Sequence, residues 1–125
     1  MQELYKDKYP NMPYKRMNVL QMEYDAGTFD AVIDKGTFDS IQCGDGAGAN
    51  TDQMLNEVYR VMSPNGVFIC ISQCHYSTRL EQFTRKDMDW VVTHEKVLKP
   101  FAKENSHNED DYIWVYIMRK QGAAQ

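Results

Sequence analysis

The sequence predicts an α/β fold, a mostly parallel sheet that ends in an antiparallel hairpin, and three observations carry this. Residues 29–33 (FDAVI) and 67–72 (VFICIS) are short apolar runs, and the second is continuous enough to be a strand covered on both faces. Between them, Met54, Leu55, Val58, Val61 and Met62 fall on one stripe of an α-helix. Two β-rich runs close the chain, 90–97 and 112–118 (YIWVYIM), and the polar loop 98–111 between them has no room for a crossover helix.

From the start of the chain, residues 1–8 (MQELYKDK) read as the last turns of a helix, stopped before Pro10 and Pro13. Residues 14–19 (YKRMNV) read as a strand, and Asp25-Ala26-Gly27-Thr28 as a turn before the strand at 29–33. TFDSIQC, 37–43, reads as a helical turn. The long helix starts at Asn50, which forms a capping box with Gln53, and stops at Ser63-Pro64-Asn65-Gly66, a type I turn with Pro second and Gly fourth. A further helix spans 76–84, across the sheet. The order is β, β, α, β, α, β, β. In such sheets ligands sit beyond the carboxyl ends of the parallel strands, which is where Asp34-Lys35-Gly36 falls.

Composition narrows the function. With 125 residues there is room for one domain, 1–120, and a short tail, 121–125. A net charge of -4, with basic residues in pairs rather than patches, argues against nucleic acid and anionic membrane as partners. No apolar run approaches the roughly 18 residues of a membrane span, and three cysteines are an odd, sparse set for a disulfide framework. A cytoplasmic location is the expectation.

Few residue patterns suggest chemistry by themselves. Asp34 and Lys35 read first as a solvated strand-end pair. Cys43-Gly44-Asp45-Gly46-Ala47-Gly48 contains a G-x-G-x-G string, but a cofactor loop of that kind follows a strand directly, and Gly44 lies ten positions beyond Asp34. These glycines read as an insertion. Cys70, Cys74 and His75 lack a second ligand pair at zinc-site spacing, so no metal is expected and the thiols read as buried and inert. His94 and His107 suggest no catalytic role, Asp30 and Asp39 read as turn, capping or solvated residues, and Trp90, Tyr112, Trp114 and Tyr116 read as hairpin and core packing.

Three segments taken together are more specific. Met17-Asn18-Val19, then FDAVIDKGTFDSI over 29–41, then Arg60-Val61-Met62-Ser63-Pro64-Asn65-Gly66 resemble the later part of a class I S-adenosylmethionine-dependent methyltransferase. The match is nearest to the methyltransferase-like 13 and elongation-factor lysine methyltransferase group, whose members read M-D-V, F-D-x-V-I-D-K-G-T-L-D-A-L and R-V-L-x-P-G-G.

That resemblance implies a Rossmann-like sheet with S-adenosylmethionine as cofactor. It places Asn18 and Val19 by the adenine, with asparagine in the family's aspartate position, and Lys35 and Gly36 near the cofactor. Asp34 is placed between cofactor and incoming substrate. It also implies a protein lysine as methyl acceptor, on an elongation factor. The family begins with a strand, a glycine-rich loop and a second strand ending in an acid. These have no counterpart in the sequence, so the sheet is expected to lack its first two strands, and the catalytic residues stay unassigned. The alternative is a non-catalytic remnant, or an incomplete chain acting as an interaction subunit, with a partner subunit completing the sheet. A nicotinamide-binding fold, which shares the parallel sheet, is disfavoured by the terminal hairpin and the D-K-G-T string.

Overall fold

A computed structural model describes residues 17–42, 46–73, 76–84, 88–100, 102–103, 107–108 and 111–121. The expected helix at 1–8, residues 14–16 of the expected first strand, and Cys43, Gly44, Asp45, Cys74 and His75 lie outside them. The elements are β1 (Phe29–Lys35), α1 (Thr37–Gln42), α2 (Ala47–Val61), β2 (Met62–Ser72), α3 (Tyr76–Phe83), β3 (Trp90–Leu98) and β4 (Tyr112–Lys120).

The four strands form one sheet in the order β1-β2-β4-β3. β1 runs parallel to β2, whereas β4 is antiparallel to both β2 and β3. The terminal hairpin is therefore as expected, but the sheet is mixed rather than mostly parallel. At residues 17–19, the described part of the expected first strand, no strand forms. Asn18 Oδ1 accepts the Leu20 N–H at 2.9 Å and Asn18 O accepts the Gln21 N–H at 3.0 Å, which closes a turn. Asparagine's short side chain offers its own backbone this alternative to a ladder.

Strand alternation sorts the sheet into two faces. Phe68, Cys70 and Ser72 of β2, Trp114, Tyr116 and Met118 of β4 and Trp90 of β3 share the buried face. Met54, Leu55 and Val58 of α2, Phe38 of α1 and Phe83 of α3 complete that core. Phe83 joins three elements, with its ring 5.1 Å from Phe38, 6.4 Å from Phe68 and 5.3 Å from Tyr116. The Trp90 indole donates to Phe83 O at 2.7 Å, so its polar edge is satisfied inside the core. The opposite face carries Ile33, Val91 and Val97, each at least half exposed, and Val67, Ile69 and Ile71 on it are only partly buried. Among the described residues β2 is thus fully buried on one face and partly on the other, where its continuous apolar run suggested burial on both.

Two local expectations change for identifiable reasons. α2 begins at Ala47, and its cap is Gly46, whose left-handed φ of 71° glycine adopts without strain. Asn50 lies inside the helix, its N–H bonded to Gly46 O, and Gln53 donates instead to Leu20 O at 2.7 Å. At the other end Asn65 has a φ of 66°, which rules out a type I turn, whose third residue needs φ near −90°. Residues 62–67 instead form an irregular start to β2: Phe29 faces Met62 and Ala31 faces Val67, five steps of one strand against two of the other. Gly66 is required there, since a Cβ would lie 2.8 Å from Ser63 O and 3.3 Å from Asp30 O and Phe29 O. None of the helices among the described residues is long and apolar enough to cross a membrane.

Candidate functional site

β1 and β2 end side by side, with Lys35 opposite Ile71, and two clefts open at that carboxyl edge. The first, about 550 Å³, runs between Asn18, Val19 and Leu20 on one side and Lys35, Gly36 and Ile41 on the other. That is within the size range of small-molecule sites. Gly36 has a φ of 90°, and a Cβ built on it would meet nothing within 4 Å, so the chain turns sharply there and leaves the floor open. Four of the five residues assigned to the cofactor by resemblance, Asn18, Val19, Lys35 and Gly36, line this one cleft.

The fifth, Asp34, lines neither cleft. It is 7% exposed, and its carboxylate accepts the Thr37 and Phe38 N–H groups at 3.2 Å each, so it caps α1. A carboxylate suits the positive end of a helix. The Cys70 thiol also donates to Asp34 Oδ2, at 3.4 Å. Burial first, and then the Asp34 charge, push the Cys70 pKa far up, which makes the thiol unreactive.

Residues 18–20, one side of the first cleft, begin a segment of irregular backbone through 24 that α2 holds in place. Glu57 Oε1 accepts the Met22 N–H at 2.7 Å, while Arg60 donates to Tyr24 O at 2.7 Å and to Met22 O at 3.1 Å. Gln53, Glu57 and Arg60 fall at i, i+4 and i+7, one helical stripe. The Arg60 hydrogen bond, outweighing partial burial, holds the Glu57 carboxyl below its ordinary range, and the Glu57 bond raises Arg60 in turn. Sequence reasoning placed Arg60 in a motif without seeing that its guanidinium clasps the segment that continues the cleft wall.

The second cleft, about 330 Å³, shares Lys35 and Gly36 with the first and is bounded by Asp39, Ile71, Gln73 and Ile113. Asp39 was expected to be a turn or capping residue. It instead accepts from the Ser72 hydroxyl at 2.6 Å, the Gln73 N–H at 3.2 Å and Arg79 Nη2 at 2.7 Å. Burial alone would raise its pKa, but these three bonds and the Arg79 charge outweigh it and hold the carboxyl below its ordinary value. Arg79 is 4% exposed and also lies over the Phe38 ring, 5.0 Å from its centroid. Among the described residues no three His, Cys, Asp or Glu side chains converge as a metal site would require.

The donor set fits an adenosyl group better than a phosphate. Asn18 keeps an amide and a second Oδ1 lone pair for a purine edge, Val19, Leu20 and Ile41 give apolar walls, and among the described residues Lys35 is the one cation of the lining. Comparison with known proteins agrees. Residues 2–122 match a family described as Methyltransferase domain. The chain is 30% identical over 119 residues to mouse EEF1A lysine methyltransferase 4, covering 89% of this chain and 43% of that protein. It is 33% identical over 97 residues to the human eEF1A lysine and N-terminal methyltransferase, covering 74% and 14%. It spans less than half the length of these relatives.

Two solved structures share the fold. N-methyltransferase NodS from Bradyrhizobium japonicum, in complex with S-adenosyl-L-homocysteine, superposes with a TM-score of 0.66 at 10% identity, over 94% of this chain and 58% of that one. The [4+2]-cyclase SpnF also scores 0.66, at 10% identity, over 97% and 61%. The fold alone therefore does not fix the reaction. The match over residues 2–122 does fix the family, and the chain belongs to the methyltransferase-domain family.

Proposed function

We infer that this chain carries part of the working site of an S-adenosylmethionine-dependent methyltransferase acting on a protein lysine. The observation that supports it best is the first cleft, because two separate segments of the chain, Asn18-Val19 and Lys35-Gly36, meet there at the carboxyl edge of the parallel pair. Bound S-adenosylmethionine supplies an activated methyl group. Asn18 and Val19 are suited to hold the adenine, and the open turn at Gly36 admits the group to the strand end. Methyl transfer to an amine needs alignment more than acid–base equipment, so proximity and orientation carry most of the rate. The names of the relatives point to eEF1A as the acceptor.

The complete cofactor site takes in more than these walls. A glycine-rich loop and the first two strands of the sheet, which the resemblance calls for, would lie against β1, the edge strand of the described sheet. This supports a second reading, in which the chain serves as a methyltransferase-fold subunit whose sheet another polypeptide completes. The sparse cysteine set suits a cytoplasmic location for either, and cell fractionation tests that point.

Isothermal calorimetry of the chain with S-adenosyl-L-homocysteine separates the readings. Micromolar binding is expected if the cleft is a cofactor site in its own right. Absence of heat would overturn cofactor binding by these walls alone and favour the reading in which further polypeptide completes the site. Transfer of labelled methyl from S-adenosylmethionine to recombinant eEF1A, and its loss when the target lysine is changed to arginine, tests the acceptor.

A further inference from the structure

The second cleft lies beside the first, and their common floor is Lys35 and Gly36. Ile71 and Ile113 give it apolar sides, which suits an unbranched aliphatic chain, and its polar wall is Asp39 with the 72–73 segment. Asp39 draws three pieces of the fold to that wall. From α1, it accepts from the end of β2 through Ser72, from the following turn through the Gln73 N–H, and from α3 through Arg79. The Arg79 guanidinium is almost wholly out of water, and among the described residues its Nε finds no acceptor. A buried cation of that kind depends strongly on the carboxylate it has. Charge-assisted bonds of 2.6 and 2.7 Å also fix geometry more tightly than neutral ones.

We propose that Asp39 is a positioning residue for the methyl acceptor. By tying Ser72, Gln73 and Arg79 together, it holds the far wall of a second cleft, along which an acceptor amine reaches Gly36. The inference rests on the reading of the first cleft as the cofactor site. Asp39 touches neither cofactor nor reacting atoms in this arrangement. It acts through the backbone of Gln73 and the Ser72 hydroxyl.

Two ligands separate the clefts. S-adenosyl-L-homocysteine probes the first alone, whereas sinefungin carries a primary amine where the methyl group of the cofactor would be and so also probes the mouth of the second. Calorimetry on the full chain is expected to show Asp39→Asn binding S-adenosyl-L-homocysteine within twofold of the unaltered protein while binding sinefungin about tenfold more weakly. Ser72→Ala, which removes one hydrogen bond at little change of volume, is expected to shift the same ratio about threefold, and it keeps the test open if Asp39→Asn fails to fold. Equal weakening of both ligands, or an unchanged ratio, would overturn the positioning role and leave the cofactor cleft standing. If the unaltered chain binds neither ligand, the cofactor-cleft reading fails first, and this inference falls with it.

Discussion

Asp34 Oδ2 accepts the Phe38 N–H at 3.2 Å, a bond that turns the acid of the D-K-G-T string into the fold and away from both clefts. A charged acceptor at the start of α1 satisfies two N–H groups that the helix leaves unpaired. Asp34→Ala is accordingly expected to lower stability by about 0.5–2 kcal/mol, the range for loss of a helix cap. Urea denaturation without any ligand measures it. Asp34→Asn, which keeps an acceptor oxygen, should lose less than Asp34→Ala. If Asp34→Ala left stability unchanged while abolishing ligand binding, the residue would belong to the site after all.

The Glu57–Arg60 pair sets a second expectation. Arg60 reaches the Met22 and Tyr24 carbonyls in the segment that continues the cleft wall, and lysine has no second arm to replace that fork. Arg60→Lys should weaken S-adenosyl-L-homocysteine binding about three- to tenfold in calorimetry, because the 18–24 segment loses its anchor. Arg60→Met should weaken it at least as much. An affinity equal to that of the unaltered protein in both variants would show that the wall holds itself.

Stability should fall in acid for a stated reason. Asp39 and Glu57 both have folded-state pKa values below their ordinary values of 3.8 and 4.5. A carboxyl depressed in the folded state contributes stability that is present above its unfolded pKa and is lost as pH falls through the folded one. The urea midpoint is therefore expected to stay level on the neutral side of both ordinary values and to drop below them. In Asp39→Asn the drop should be shallower, since one of the two proton-linked groups is gone. A midpoint that declined as steeply in the variant would assign the acid sensitivity elsewhere.

The parts of this fold that were legible in the sequence are those set by local pattern. The stripe through Met54, Leu55 and Val58 is buried as its spacing requires, and the two final β-rich runs pair as an antiparallel hairpin. At 17–19, the described part of the expected strand 14–19, composition misled: Asn18 closes a turn with Leu20 and Gln21, a choice that composition does not record. The half-open face of β2 was illegible for another reason. An apolar run does not state whether a layer lies on each side of it. Within the site, Asn18, Val19, Lys35 and Gly36 could be assigned by resemblance, but the Asp39 to Ser72 and Arg79 bonds span 33 and 40 residues of chain and leave no spacing to find.

Two glycines make the last test, since each resists a side chain for a different reason. At Gly66 the obstacle is space: a methyl group would lie 2.8 Å from Ser63 O, where β2 passes the carbonyls of Phe29 and Asp30. Gly66→Ala should cost about 1–3 kcal/mol of stability, as overpacking does, and leave ligand affinity of the folded fraction unchanged. At Gly36 space is free, but φ is 90°, a region that L side chains rarely adopt. Gly36→Ala should cost about 1–2 kcal/mol in backbone strain. It also puts a methyl group on the floor shared by both clefts, so it should weaken S-adenosyl-L-homocysteine as well. Urea titration and calorimetry on the two variants therefore separate a framework glycine from a site glycine. Unchanged affinity in Gly36→Ala, measured on the folded protein, would remove the strand end from the cofactor site.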